Sequence, residues 1–123
     1  MDFDAISATI QDSFELEIIH PVTGEGGWFI ELASPCNTAA QTKVKAILDR
    51  DRKRRFSTPS QDERDGFELI TARILGWKGL KKGEDDVSFT PEAALAIVSH
   101  PKAYWLRTLL MEALGDPTRP FTI

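Results

Sequence analysis

Apolar and polar residues alternate near the N-terminus, and this pattern predicts a β-hairpin. Between Phe14 and Ile18 every second residue is apolar and the intervening ones are glutamates, the period of a half-buried strand. A second apolar run, Trp28–Leu32, follows a segment dense in Pro and Gly. The two runs are therefore expected to pair as an antiparallel hairpin. For Asp4–Ile10 the pattern leaves two readings open, an extra strand or a frayed start.

Three helix starts downstream share one signal, a Ser or Thr followed by Pro. The hydroxyl can accept a hydrogen bond from a first-turn N–H, and proline at the first helical position loses no hydrogen bond. The three pairs are Ser34-Pro35, Thr58-Pro59 and Thr90-Pro91, and Pro101 is expected to open a fourth helix. The predicted helices are Pro35–Arg54, Pro59–Leu75, Pro91–Ser99 and Pro101–Leu114. Gly115 is expected to end the last helix in a left-handed conformation, and Gly76–Phe89 to be a long loop.

These elements predict an α+β fold, in which an N-terminal antiparallel β-hairpin or small sheet precedes a bundle of about four helices. The 123 residues are expected to form a single domain, with a β-rich part at 1–33, a helical part at 34–115 and a tail at 116–123. No apolar run approaches the ~18 residues that span a bilayer. The net charge of -4, the single cysteine and the acidic N-terminus favour a soluble protein of a reducing cytoplasm.

The residue types that usually carry catalysis do not form a recognisable site. Cys36 is expected in the first turn of a helix, but a thiolate enzyme also needs a base, and His20 and His100 are better read as turn or capping residues before proline. The acidic stretch Glu84–Asp86 lacks the ligand order of a calcium loop. The Gly-rich stretch Thr23–Gly27 lacks the Lys-Ser/Thr of a phosphate-binding loop. The expectation is a protein that is not an enzyme and uses no metal or cofactor.

A basic run at Arg50–Arg55 is the one feature that favours nucleic acid. It could contact a phosphate backbone, but Asp51 interrupts it and no aromatic residues interleave for base stacking. It also ends a helix, where cations suit the negative end of the helix dipole. A charged helix end is therefore the preferred interpretation, and a small nucleic-acid-binding regulator is a minor alternative.

The second half of the chain carries a series of short motifs in a definite order. Ile74-Leu75-Gly76-Trp77-Lys78-Gly79-Leu80 is followed by an acidic Gly-containing loop, and then by Val87-Ser88-Phe89-Thr90-Pro91. An apolar helix, a break at His100-Pro101, a long apolar helix and Phe121 complete the order. This order resembles that of the tail assembly chaperones of long-tailed bacteriophages. In that family a Gly-Trp pair ends a helix, a Phe-Thr/Ser element caps the next one, and a terminal helix closes the domain. The resemblance covers roughly residues 64–121.

The resemblance implies a binding function in the host cytoplasm during virus assembly. Such chaperones bind the long, helical tape measure protein, keep it soluble while tail tube protein assembles around it, and are absent from the mature virion. Many also exist as a longer form made by ribosomal frameshifting, and the short form commonly forms a homo-oligomer. A virion structural or connector protein of similar architecture is the main alternative.

A chaperone for amphipathic helices needs an apolar surface rather than catalytic groups. The residues chosen as candidates for partner binding are Trp77, Leu80, Phe121 and Trp28. Each large apolar residue has an alternative place in the core. For Trp77 the two readings stay open, because it lies between two glycines at the predicted end of a helix. Trp105, in the densest apolar helix, is expected in the core.

Overall fold

A computed structural model describes residues 1–121 and has an α+β architecture, as the sequence predicts. A three-stranded antiparallel sheet consists of β1 (Ser13–Ile18), β2 (Trp28–Ala33) and β3 (Ile74–Lys78), in the order β1-β2-β3. A small hairpin pairs β4 (Lys81–Lys82) with β5 (Asp85–Asp86). The helices are α1 (Phe3–Ser7), α2 (Thr38–Lys53), α3 (Pro59–Thr71), α4 (Pro91–Val98) and α5 (Tyr104–Leu114), and a 3-10 turn at Pro101–Ala103 precedes α5. Residues 3–7, left open by the sequence pattern, are thus helical.

The N-terminal hairpin forms as predicted, with Ile18 opposite Trp28 and Phe14 opposite Leu32. The alternation places Ile18, Ile30 and Leu32 in the core and leaves the glutamates on the outer face. The Gly-rich stretch 23–27 is part of the connecting loop, as expected.

The third strand was not predicted, and it corrects the helix expected at Pro59–Leu75. Helix α3 ends at Thr71, and Ile74–Lys78 pairs with β2, with a register irregularity between Glu31 and Leu32. The Gly-Trp pair therefore lies within a strand and does not end a helix. The Arg73 carbonyl accepts a hydrogen bond from the N–H of Ala33 at 2.8 Å, so pairing with β2 takes over where the helix stops. A two-stranded hairpin alone is only marginally stable in water. Residues 74–78 add a third strand to it, and this favours pairing with β2 over a longer α3.

Three local details near helix ends also differ from the prediction. Helix α2 begins at Thr38, and its cap is Asn37, whose side chain accepts the N–H of Ala40 at 3.0 Å. Cys36 therefore precedes the helix. Gly115 has a φ of -85°, so α5 ends without a left-handed residue. The loop expected at Gly76–Phe89 is largely structured, since the end of β3 and the β4–β5 hairpin occupy it.

The core joins the sheet to the last two helices. Ile30 and Leu32 from β2 are almost fully buried together with Val98 from α4 and with Leu106 and Leu110 from α5. The caps at Thr58 and Thr90 form as predicted, each accepting a backbone N–H three residues ahead. Among the described helices, none combines the length and apolarity needed to cross a membrane.

Helices α2 and α3 are held together by a cluster of ion pairs around Asp65. Its two carboxylate oxygens lie 3.0 Å from Arg50 Nη2 and 2.7 Å from Arg54 Nη1, while Glu68 accepts from Arg50 at 2.8 Å. The hydrogen bond from Arg54 is the main reason that the pKa of Asp65 is lowered from its ordinary value. Because the ionised form is favoured in the folded state, this carboxylate links stability to pH.

We expect the stabilisation from Asp65 to disappear in acid. A carboxyl whose pKa is lowered by folding stabilises the protein above its unfolded pKa, about 3.9 for aspartate, and loses this effect as pH falls through the folded pKa. The measurement is the urea midpoint of unfolding for the wild type and for Asp65→Asn at a series of pH values from 7 downward. The wild type should be more stable near neutrality, and the two urea midpoints should converge as pH falls below about 4. A difference that stays constant with pH would contradict the assignment.

Candidate functional site

The structure brings two of the four candidate residues, Trp28 and Leu80, into one open groove. The groove has a volume of about 600 Å³, within the usual range for binding pockets. Trp28 opens β2, and Leu80 follows β3. The opposite wall comes from α4, the 3-10 turn and the start of α5. We call this surface the lysine-rimmed groove, and its lining residues are Trp28, Leu80, Lys81, Lys82, Val87, Ala93, Ala96, Ile97, His100, Lys102, Ala103, Trp105 and Leu106.

Helix α4 is apolar on every side, and only part of its surface is covered. After Glu92 its sequence is Ala-Ala-Leu-Ala-Ile-Val, without a polar residue before Ser99. Ala94 and Val98 are buried in the core, whereas Ala93, Ala96 and Ile97 line the groove. A helix that faces water normally has a polar side, and a helix that is apolar all round is normally buried. This side of α4 therefore has the composition of a covered surface.

The edge of the groove is basic, although the chain as a whole is acidic. Lys81, Lys82 and Lys102 line it and are exposed, and no Asp or Glu is among its lining residues. Within residues 1–121, no carboxylate oxygen lies within 4.0 Å of the ammonium nitrogen of any of these three lysines. Asp86 and Asp85 are nevertheless the cross-strand neighbours of Lys81 and Lys82 in the β4–β5 hairpin. The outer face of the sheet, in contrast, carries three glutamates. The lining of the groove therefore has lysines and no carboxylates, and the acidic residues Glu84, Asp85 and Asp86 of the β4–β5 hairpin are not among its lining residues.

The indole N–H of Trp28 is buried and has no hydrogen-bond partner among residues 1–121. An unsatisfied buried donor costs about 1–3 kcal/mol. Trp28 also pairs edge-to-face with Trp77, with ring centroids 6.0 Å apart. The same residue thus contributes to the packing of the sheet and to the wall of the groove.

Trp77 lies behind the groove rather than among its lining residues. Its indole N–H donates to the Val87 carbonyl at 2.8 Å, which attaches the segment after the β4–β5 hairpin to β3. Its ring packs edge-to-face against Phe89 at 5.0 Å as well as against Trp28. Of the two readings left open, this geometry supports a packing role. Trp77 would then act on the groove indirectly, by positioning Trp28 and the hairpin.

Phe121, the fourth candidate, lies on a different part of the surface. It is 38% exposed, and its backbone forms an isolated antiparallel bridge with Ile10. The neighbouring Pro120 carbonyl accepts the N–H of Gln11 at 2.8 Å. Residues 120–121 therefore lie along residues 10–11 and are not among the lining residues of the lysine-rimmed groove. Its role in partner binding remains a prediction.

Several side chains of the basic run at 50–55 form ion pairs with neighbouring carboxylates. Arg50 and Arg54 are bound to Asp65, Asp51 and Glu68 on α2 and α3. Arg52 lies 3.7 Å from Asp49. This arrangement fits the interpretation as a charged helix end and reduces the charge available to a phosphate backbone.

The residues considered for catalysis have local structural roles. His20 Nδ1 accepts the N–H groups of Val22 and Thr23, and His100 Nδ1 accepts that of Lys102, so both cap turns as predicted. Cys36 is exposed and its Sγ lies 3.1 Å from Ser34 Oγ. Glu84–Asp86 belongs to the β4–β5 hairpin. Within residues 1–121, no cluster of His, Cys, Asp or Glu has the arrangement of a metal site.

Two smaller depressions have mixed or weaker features. One of about 480 Å³ lies between α2, α3, β3 and α4, and both Lys43 and Glu68 line it. Another of about 400 Å³ lies between α3 and α5 and includes Arg73 and Met111. Neither contains a candidate residue from the sequence. The first has charges of both signs in its lining, and the second has a single charged lining residue, Arg73.

The sequence reasoning missed the residues that give the groove its character. Ala93, Ala96 and Ile97 lie in a helix that the sequence predicts as apolar, but the local pattern does not show which side of it is covered. The signal was present, because a stretch of six apolar residues leaves no polar face for solvent. The three rim lysines come from a segment expected to be loop and from the 3-10 turn, and only the fold brings them together.

Comparisons of the chain with protein-family models, with curated proteins and with solved structures gave no match. The geometry of the lysine-rimmed groove and the resemblance of residues 64–121 are therefore the basis for a functional proposal.

Proposed function

We propose that this chain is a bacteriophage tail assembly chaperone that binds the tape measure protein and keeps it soluble while the tail tube forms. The observation that carries the proposal is the open side of α4, an apolar helical surface that lines a groove and is exposed or half-buried at Ala93, Ala96 and Ile97. A binding protein for amphipathic helices needs a concave apolar surface of this kind. No catalytic chemistry is required for this activity.

The resemblance in the second half of the chain supports the same function. The capped start at Thr90, the apolar helix α4, the break at His100-Pro101 and the apolar helix α5 follow in the order described for the family. The Gly-Trp pair departs from that order, since it lies in β3. The support therefore comes from the elements after residue 86 and from the groove that they form.

Co-expression with the tape measure protein encoded by the same genome tests the proposal. We expect the tape measure protein to remain soluble and to co-purify with this chain. Ala96→Trp should abolish the complex, because it fills the groove from an exposed position of α4. Ala46→Trp is the matched control, since Ala46 is an exposed helical alanine outside the groove, on α2. Aggregation of the tape measure protein despite co-expression would overturn the function.

Purified virions discriminate this proposal from a virion structural or connector protein. Mass spectrometry should detect this chain in infected or induced cells and not in mature particles. Its presence in particles at the stoichiometry of a structural subunit would favour the alternative.

A further inference from the structure

We infer that the lysine-rimmed groove selects amphipathic helices whose apolar stripe is flanked by acidic residues. This inference rests on the proposed function and specifies the chemistry of the segment that the chaperone binds. The occupant is a helix of the partner protein, inserted with its apolar side towards α4 and Trp28.

The floor accepts an apolar helix face. Ala93 and Ala96 are one helical turn apart on α4, and Ala103 follows in the 3-10 turn. Their small side chains leave room for larger residues of an inserted helix, while Trp28, Leu80, Ile97 and Trp105 supply broad apolar walls. Helix-in-groove recognition uses residues spaced at i, i+3, i+4 and i+7 as anchors. The floor fits such anchors better than an extended polar segment.

The rim supplies the charge preference. Lys81 and Lys82 belong to β4, and Lys102 belongs to the 3-10 turn, so the lysines come from two separate elements that line the groove. Carboxylates flanking the apolar stripe of a bound helix can approach these ammonium groups, which have no carboxylate oxygen within 4.0 Å in the described part of the chain. A helix flanked by lysines would instead meet like charges. Such complementarity mainly gives specificity and faster association.

Two synthetic helical peptides of equal length and equal apolar stripe test the charge preference. One carries Glu and the other Lys at the flanking positions, and the full-length protein is titrated into each fluorescently labelled peptide at low salt. Exposed ion pairs contribute about 0.2–1 kcal/mol each, so three of them predict roughly a threefold to hundredfold preference for the acidic peptide. The preference should shrink in 1 M salt, where the screening length is about 3 Å.

Matched lysine variants locate the effect. Lys81→Gln, Lys82→Gln and Lys102→Gln combined should remove the preference, whereas Lys43→Gln, Lys45→Gln and Lys53→Gln combined should leave it unchanged. The second triple is on α2, changes the net charge by the same amount as the first and includes Lys43, which lines the depression of about 480 Å³. Circular dichroism confirms that both triples remain folded. Equal binding of the two peptides, or equal effects of the two triples, would overturn the inference.

Two further results separate this inference from its competitors. Tighter binding of a labelled single-stranded oligonucleotide than of the acidic peptide would overturn it in favour of nucleic acid. If the tape measure protein co-purifies but the acidic peptide does not bind, the proposed function stands and the assigned charge preference fails. If the acidic peptide binds through the three rim lysines but the tape measure protein does not bind, the charge preference of the groove stands. The proposed partner, and with it the proposed function, is then wrong.

Discussion

Gly79→Ala is expected to destabilise the protein strongly, because the residue combines an unusual backbone conformation with a close approach to another strand. Gly79 has a φ of +84°, and a Cβ placed on it would lie 1.9 Å from the carbonyl oxygen of Gly27. The left-handed conformation costs an L-residue about 1–2 kcal/mol, and the collision requires the backbone segments at Gly27 and Gly79 to separate. We expect a total loss of about 3–5 kcal/mol, measured as the free energy of unfolding in urea.

Gly83→Ala is the matched control for the backbone contribution. Gly83 also has a positive φ, +68°, but nothing lies within 4 Å of its expected Cβ. It precedes Glu84 in the two-residue turn between β4 and β5, where glycine at the first position suits a type II′ turn. This variant should lose about 1–2 kcal/mol. Equal losses in Gly79→Ala and Gly83→Ala would contradict the close approach of Gly79 to Gly27.

The position of Gly79 also connects the fold to the candidate site. Gly79 immediately precedes Leu80, and Gly27 immediately precedes Trp28, so the contact between the two glycines holds both groove residues. If Gly79→Ala remains folded, its affinity for the peptide in the groove should fall as well. Gly83→Ala should affect peptide binding less, because the turn at Gly83 is not among the lining residues.

The N-terminal hairpin and the capped helices could be predicted because their signals are local. Alternation from Phe14 to Ile18 fixes one face of a strand, and Thr58-Pro59 and Thr90-Pro91 supply a cap and a favourable first residue within a few positions. Ser34-Pro35 carries the same signal, yet Asn37 is the cap. Ser34 is buried, its N–H donates to the Asp12 carbonyl at 2.9 Å and its Oγ lies 3.1 Å from Cys36 Sγ, so other contacts use the residue that the local pattern assigned to capping.

The third strand could not be predicted from the local pattern, because the strand that stabilises it by pairing is far away in the sequence. Ile74-Leu75-Gly76-Trp77 continues the apolar spacing of α3, and its pairing partner β2 lies more than forty residues earlier in the chain. The groove was found in part for the same reason. Trp28 and Leu80 could be selected as large apolar residues, but their convergence with α4 and three lysines depends on β3 joining the sheet.

Trp77→Ala is expected to cost about 3 kcal/mol, the lower end of the range for truncating a large aromatic residue, because Trp77 is partly buried. The substitution removes the edge-to-face contacts with Trp28 and Phe89 and the hydrogen bond to the Val87 carbonyl. It leaves a space between β3 and the segment after the small hairpin. The measurement is the free energy of unfolding in urea, followed by far-UV circular dichroism so that the loss of tryptophan does not alter the signal.

Two control variants separate a packing role of Trp77 from direct contact with a partner. Trp77→Phe keeps an aromatic ring and removes the indole N–H, so it should lose about 1 kcal/mol from the hydrogen bond plus a smaller packing term. Tyr104→Ala truncates an aromatic residue that is 68% exposed and should change stability by no more than about 0.5 kcal/mol. If Trp77→Ala instead changes stability as little as Tyr104→Ala while abolishing the complex with the tape measure protein, Trp77 contacts the partner directly. A large loss of stability, with binding largely restored in Trp77→Phe, assigns Trp77 to the support behind the groove.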